Sequence, residues 1–307
     1  MQTQTSGFYD TGLTPSPETL PASPPPGLAA ALAGRLVVVG GGNMARALLG
    51  GALAGADAAL LARVRVVERS EDTRTALARD LGVTVLPDLS ELPAAAPELD
   101  ASDTVLWAVK PQGFAAAAAE LPPGFAAPAL HVSVMAGVTL ARLAQATGAA
   151  ALVRTMPNTP ALVGQGMTGL FAAPAVSAAQ RNSVQALLKS TGELLWVEAE
   201  GDLDSVTAVS GSGPAYVFLL MEAMMAAGRD MGLPAAAARQ LVLQTLAGAT
   251  ALARASEVDP AVLRARVTSP GGTTHAAISH MLDGGLPALV QAALHKARER
   301  SQELGQA

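Results

Sequence analysis

The chain contains no cysteine. Disulfides, thiolate nucleophiles and cysteine-ligated metals are therefore excluded, which suits a cytoplasmic enzyme. Charge is also sparse: 15% of residues are charged, with 20 Lys+Arg against 25 Asp+Glu and a formal net charge of −5. No Lys/Arg-rich block occurs, so neither nucleic acid nor an anionic membrane is expected as a partner. No run of about 18 apolar residues is free of polar breaks, and nothing demands a membrane span. The four histidines lie far apart, at His131, His275, His280 and His295. None falls in an H-E-x-x-H or comparable spacing, so no metal site is expected. The start of the chain lacks the basic-then-apolar pattern of a secretory signal.

Hydrophobic residues make up 50% of the 307 positions, many of them alanine, which favours helix and close helix–helix approach. That length suffices for two domains with substantial cores. Residues 1–34 read as a disordered extension, because 14–26 hold six prolines among Ser, Thr and Ala. Strands are predicted at 36–39, 64–68, 84–86, 104–109, 131–134, 152–155, 168–172 and 194–198. Helices at 43–54, 72–81, 115–120, 139–147 and 177–190 separate them. Such alternation predicts a Rossmann-type α/β domain over 35–199, with a doubly wound parallel sheet. Over 200–307 strand signals stop, and helices are predicted at 203–209, 214–231, 235–255, 260–266, 273–282 and 286–304. The 214–231 segment is apolar nearly all round its circumference, and such a helix has to be covered on all sides. About five helices barely achieve that alone, so a dimer core built from two chains is expected.

Several stretches carry chemistry. Residues 35–51 read as a strand, the glycines Gly40, Gly41 and Gly42, and a helix starting at Asn43 and Met44. Gly40-x-Gly42-x-x-Ala45 fits the dinucleotide fingerprint, in which backbone N–H groups and the positive helix end receive a pyrophosphate. After the second strand, Glu68 suits the ribose hydroxyls of NAD, whereas Arg69 and Ser70 suit the 2′-phosphate of NADP; Ser70 also suits a plain helix N-cap. Ala108, Val109, Lys110 and Pro111 end the fourth strand at the edge where such sheets bind ligands. Met156-Pro157-Asn158-Thr159-Pro160 sets short polar groups between two prolines. Ser210-Gly211-Ser212-Gly213-Pro214 and Ser269-Pro270-Gly271-Gly272-Thr273-Thr274 are glycine-spaced helix openings, each offering N–H groups and hydroxyls to an anion.

Together G-G-G-N-M-A, A-V-K-P-Q, V-S-V-M-A-G-V-T-L, R-T-M-P-N-T-P-A-L-V-G-Q-G-M-T, V-S-G-S-G-P-A-Y-V-F and S-P-G-G-T-T resemble the pyrroline-5-carboxylate reductase family, over residues 36–304. The resemblance implies a Rossmann domain followed by an all-helical dimerisation domain, and often rings of dimers. It implies NADPH, with NADH as the alternative, held at Gly40, Gly42, Asn43, Met44 and Ala45. Arg69 and Ser70 would meet the adenosine end, Val109, Lys110 and Pro111 would lie beside the cofactor, and Met156, Pro157 and Asn158 would be near the nicotinamide. Ser210, Ser212, Gly213 and Pro214 would border the substrate, with Gly271, Gly272, Thr273 and Thr274 supplied by the dimer partner. Some relatives have a threonine where this chain has Leu219, which cannot hydrogen-bond.

The implied reaction moves a hydride from NAD(P)H to the C=N carbon of 1-pyrroline-5-carboxylate, giving L-proline. No catalytic His, Asp or Lys stands out. Two alternatives fit the layout: a 3-hydroxyacid dehydrogenase and a non-catalytic NAD(P)H-binding regulator. The first needs a lysine on the interdomain helix, and 214–231 has none.

Overall fold

Apolar runs of four residues are too short for a buried helix, and in a parallel sheet they are strands covered on both faces. In the computed structural model, which describes residues 27–95 and 98–306, such runs form the centre of one sheet. Its strands are β1 (Leu36–Val39), β2 (Val64–Val67), β3 (Thr84–Leu86), β4 (Thr104–Trp107), β5 (Leu130–Ser133), β6 (Leu152–Met156), β7 (Gly166–Ala172) and β8 (Gly192–Trp196). Their order is β3-β2-β1-β4-β5-β6-β7-β8. The first six strands are parallel, as the helical crossovers require. The last two correct the all-parallel expectation: β7 pairs antiparallel with β6, and β8 runs parallel to β7. The reason is local. Only a short 3-10 turn, Thr159–Val163, separates β6 from β7, and a connection that short cannot make a parallel crossover.

The helices of this part are α1 (Leu28–Ala31), α2 (Asn43–Ala52), α3 (Ala58–Leu61), α4 (Glu71–Leu81), α5 (Leu92–Ala95), α6 (Phe114–Ala118), α7 (Leu140–Thr147), α8 (Ala178–Leu188) and α9 (Asp202–Val206). α1 corrects the reading of 1–34 as an extension. Leu28 and Leu32 are both buried in the core, one helical turn apart, and the proline-rich composition stops at Pro26. Residues 1–26, where the rest of that extension falls, lie outside the described residues.

Two compact units divide the described residues, one running to residue 214 and resuming at 294, the other covering 215–293. The remaining helices are α10 (Gly213–Asp230), α11 (Ala235–Arg254), α12 (Pro260–Arg266), α13 (Thr273–Asp283) and α14 (Leu286–Gln306). Within residues 215–293 the apolar surface of α10 is bare: Phe218 is 54% and Leu219 67% exposed, with Val217 and Leu220 exposed beside them. Contiguous apolar surface of this kind marks an interface.

The carboxyl end of β4 is braced from inside the sheet. Trp107 Nε1–H donates to His131 Nδ1 at 2.9 Å, and His131 Nε2 lies 2.8 Å from the Ala126 carbonyl oxygen. An indole N–H can only donate, so Nδ1 must accept and the ring is the neutral Nε2–H form. Burial, partly opposed by the Ala126 bond, lowers the His131 pKa to about 4 from an ordinary 6.5.

His131 takes up its proton in the unfolded chain at about pH 6.5 but in the folded chain only near pH 4. Stability is therefore lost as pH falls through 6.5 and levels off below 4. Linkage puts the loss from this residue at about 2 kcal/mol at pH 5. Urea melts at pH 7.5 and pH 5 should show a smaller drop for His131→Gln than for the natural chain. Separately, Leu219→Asp or Phe218→Asp should shift light-scattering mass from dimer to monomer, while the 25–214 unit keeps its fold.

Candidate functional site

At the end of β1, Gly40 adopts φ +100°, and a β-carbon there would sit 2.6 Å from the Ala108 carbonyl oxygen. The glycine thus turns the chain through a left-handed conformation and lets the ends of β1 and β4 touch. Gly41 N–H donates to Glu68 Oε2 at 2.8 Å. Gly42 is the N-cap of α2, with no side-chain cap and nothing within 4 Å of a β-carbon built on it. The first N–H groups of α2 have no intrahelical acceptors, and they open onto that clear space with the positive helix end behind them. Asn43 is exposed and Met44 half-buried at the mouth, while Ala45 is fully buried behind them.

Beyond β2, Glu68 is fixed by two backbone donors: Gly41 N–H to Oε2 and Ser70 N–H to Oε1, each 2.8 Å. It joins the glycine loop to the turn that starts α4. Ser70 is the N-cap of that helix, its hydroxyl accepting from Thr73 N–H at 3.4 Å, so the plain capping role holds. Arg69, its side chain 69% exposed, forms an ion pair with Glu120. Arg74 Nη1 donates to the carbonyls of Glu68 and Arg69, at 3.1 and 2.6 Å. A cavity of about 180 Å³ opens here, lined by Gly40, Glu68, Arg69, Val109, Gly113 and Glu120 among others.

Arg74 and Glu120 are absent from the sequence reading. Arg74 was within reach of it, since it lies in the first turns of the helix that Ser70 caps. Glu120 was not, because only the fold brings position 120 to the end of β2.

The β4 strand ends at Trp107, short of the expected 109. Ala108 and Val109 are half-buried beyond it, and exposed Lys110 leads into the 3-10 turn Pro111–Gly113.

On β6, Met156 is half-buried and Pro157 and Asn158 are buried. The Asn158 amide is not an open polar group. Nδ2 donates to the Ser210 carbonyl at 3.0 Å, and Oδ1 accepts from Met167 N–H at 2.9 Å. Asn158 therefore ties the end of β6 to the start of β7 and to the segment after α9.

That segment corrects another expectation. Thr207–Gly211 is a π-helical turn, not an open glycine cap. Ser212 N–H donates five residues back to the Thr207 carbonyl at 2.8 Å, and the Ser210 hydroxyl donates to Val206 O at 3.1 Å. Residues α9 leaves in helical backbone continue into α10, so the N–H of Ser212 is already used. π turns of this sort are frequent at functional sites. Gly213 starts α10, with half-buried Pro214 in its first turn.

The other opening matches its reading. Gly271 takes φ +74°, Gly272 is the N-cap of α13 without a side-chain cap, and Thr273 and Thr274 are exposed at the helix start. These four residues belong to the 215–293 unit.

Comparison with known proteins agrees with this layout. Residues 200–304 match the model for pyrroline-5-carboxylate reductase dimerisation, and residues 35–137 match that for NADP oxidoreductase, coenzyme F420-dependent. A pyrroline-5-carboxylate reductase of Pseudomonas aeruginosa is 44% identical over 273 residues, 89% of this chain and 97% of the relative. The solved structure of a pyrroline-5-carboxylate reductase from Coxiella burnetii superposes with a TM-score of 0.80 at 35% identity, over 90% of this chain and 100% of the other. The Plasmodium falciparum pyrroline carboxylate reductase, solved with NADP bound, gives 0.75 at 27% identity, over 88% and 98%. With near-complete coverage on both sides and both halves of the fold in place, the chain belongs to the pyrroline-5-carboxylate reductase family.

Proposed function

We propose that this chain catalyses the reduction of 1-pyrroline-5-carboxylate to L-proline with NADPH, NADH being the alternative donor, as a cytoplasmic homodimer. The observation that carries the reading is the uncapped start of α2 at Gly42, open beside the cavity that Arg69 lines. NAD(P)H, when bound, supplies the hydride that reduces the C=N carbon. The residues fit such a group. Gly42, Asn43, Met44 and Ala45 hold the pyrophosphate on backbone N–H groups, while Gly40 and Gly41, whose N–H groups go to Val67 O and Glu68 Oε2, shape the turn around it. Arg69 and Ser70 take the adenosine end. Ala108, Val109, Lys110 and Pro111 flank the donor where β4 ends, and Met156, Pro157 and Asn158 flank the nicotinamide. With its amide engaged by Ser210 O and Met167 N–H, Asn158 serves as a rigid wall.

A protonated imine is already electrophilic, so the protein has to hold it more than activate it. Orientation alone can supply on the order of 7 kcal/mol or more of barrier reduction. Ser210, Ser212, Gly213 and Pro214 border the substrate, and the Ser212 side chain supplies the polar group there because its N–H is taken. Gly271, Gly272, Thr273 and Thr274 of the second copy bind the substrate carboxylate on free helix N–H groups and hydroxyls.

The direct test is NAD(P)H oxidation in the presence of 1-pyrroline-5-carboxylate. Turnover supports the reading. Tight NADPH binding without turnover points to a regulator, and turnover of a hydroxy acid points to a dehydrogenase. In the same assay, Thr273→Val with Thr274→Val should raise the substrate KM about tenfold or more, since the two lost hydroxyls remove at least one charge-assisted hydrogen bond. The cofactor KM should move little, and an unchanged substrate KM would overturn the carboxylate assignment.

A further inference from the structure

The ion pair at the adenosine end has a consequence for which cofactor is used. Arg69 is solvated, but its partner is pinned: Glu120 is only 24% exposed, and its second oxygen, Oε2, accepts from Leu89 N–H at 3.2 Å. Leu89 is itself buried. If Glu120 swung away, that backbone N–H would lose its acceptor, which disfavours the movement. The guanidinium can leave; the carboxylate stays as part of the cavity wall.

We propose that Glu120 is a specificity-determining residue: it competes with a cofactor 2′-phosphate for Arg69 and so limits the preference for NADPH over NADH. The inference rests on the reading of this cavity as the adenosine subsite. A 2′-phosphate needs two things here. It must take the guanidinium edge that Glu120 now occupies, since phosphate is gripped best by paired N–H groups. It must also bring negative charge beside a carboxylate that cannot retreat. The surroundings add to the effect. Glu68 and Asp88 are further carboxylates near Arg69, and Arg74 is a further cation. The Asp88 carboxyl is held below its usual range, by the Ser90 hydroxyl first and by Arg69 among the lesser causes. A ribose hydroxyl faces neither obstacle. It carries no charge, and it leaves the Arg69–Glu120 pair intact.

Glu120→Gln isolates the charge, because the amide oxygen still accepts from Leu89 N–H. Dissociation constants for NADPH and NADH, measured by cofactor fluorescence without substrate, form the readout. Glu120→Gln should tighten NADPH about three- to fivefold, the range of a solvent-accessible charge pair, and leave NADH within about 1.5-fold. In an Arg69→Ala background, where NADPH is selectively weakened, the same change should move the ratio of the two constants less, because only the direct repulsion by the Glu120 carboxylate is left to remove. Three results would overturn the proposal: both cofactors shifting alike, NADPH unchanged, or NADPH weakened, the last meaning that Glu120 orients Arg69 for the phosphate. Glu120→Ala, with melting temperature recorded, separates loss of the Leu89 contact from loss of charge. If both nucleotides bind but no substrate turns over, the proposed reaction fails while the cofactor test still reads out. If neither binds the natural chain, both fail.

Discussion

The ends of β1 and β4 meet at Gly40, where a β-carbon would stand 2.6 Å from the Ala108 carbonyl oxygen. The rest of the carboxyl edge is arranged around that contact. Because the two strands close up there, the chain leaving β1 is forced sideways into α2, and the helix start is aimed over the sheet edge. A side chain at position 40 would separate the strands and meet an unfavourable backbone conformation as well. The other half of the junction is equally constrained. Trp107, the last residue of β4, is held through His131 to the backbone at Ala126, and it also stacks edge-on against Phe114 with ring centroids 5.0 Å apart. A neutral imidazole that accepts on one nitrogen and donates on the other is the side chain that can bridge an indole to a carbonyl.

The polar side chains along this edge serve mainly as scaffolding. Glu68 binds two backbone N–H groups, Asn158 binds a carbonyl and an N–H, and the Ser210 hydroxyl binds Val206 O. What is left to meet a ligand is mostly backbone N–H at uncapped helix starts. Such donors have fixed positions and no side-chain entropy to lose, which suits a reaction whose main need is alignment.

Much of this was legible in the sequence. The strands read as short β-branched runs between turn residues, and the glycine loop read directly because its three glycines sit between a strand and a helix. The Gly271–Thr274 opening also kept its form, since nothing follows it but helix. The failures have different causes. The reversal at β7 follows from the short β6–β7 connection, which was passed over, whereas the commitment of Asn158 depends on Ser210, distant in sequence. The π turn at Thr207–Gly211 looked like a cap because glycine and serine are ordinary cap residues, yet the preceding helix simply continues through them. Glu120 was invisible for a similar reason: an alanine-rich helix end gives no sign that it will face Arg69. Leu28 and Leu32 were overlooked because the prolines just before them dominated the reading of that stretch.

The reversal between β6 and β7 also decides what kind of structure carries the serines. Had the sheet stayed parallel, the chain would have left its last strand at the carboxyl edge, and the next residues would have been a strand-end loop. Instead β8 begins at that edge and finishes at the opposite one, so α9 must climb back before Ser210 reaches Asn158. Ser210 and Ser212 therefore arrive on a continuous helical rod. Their placement has the stiffness of a helix, not the play of a loop, and the edge is preformed on that side before any ligand enters.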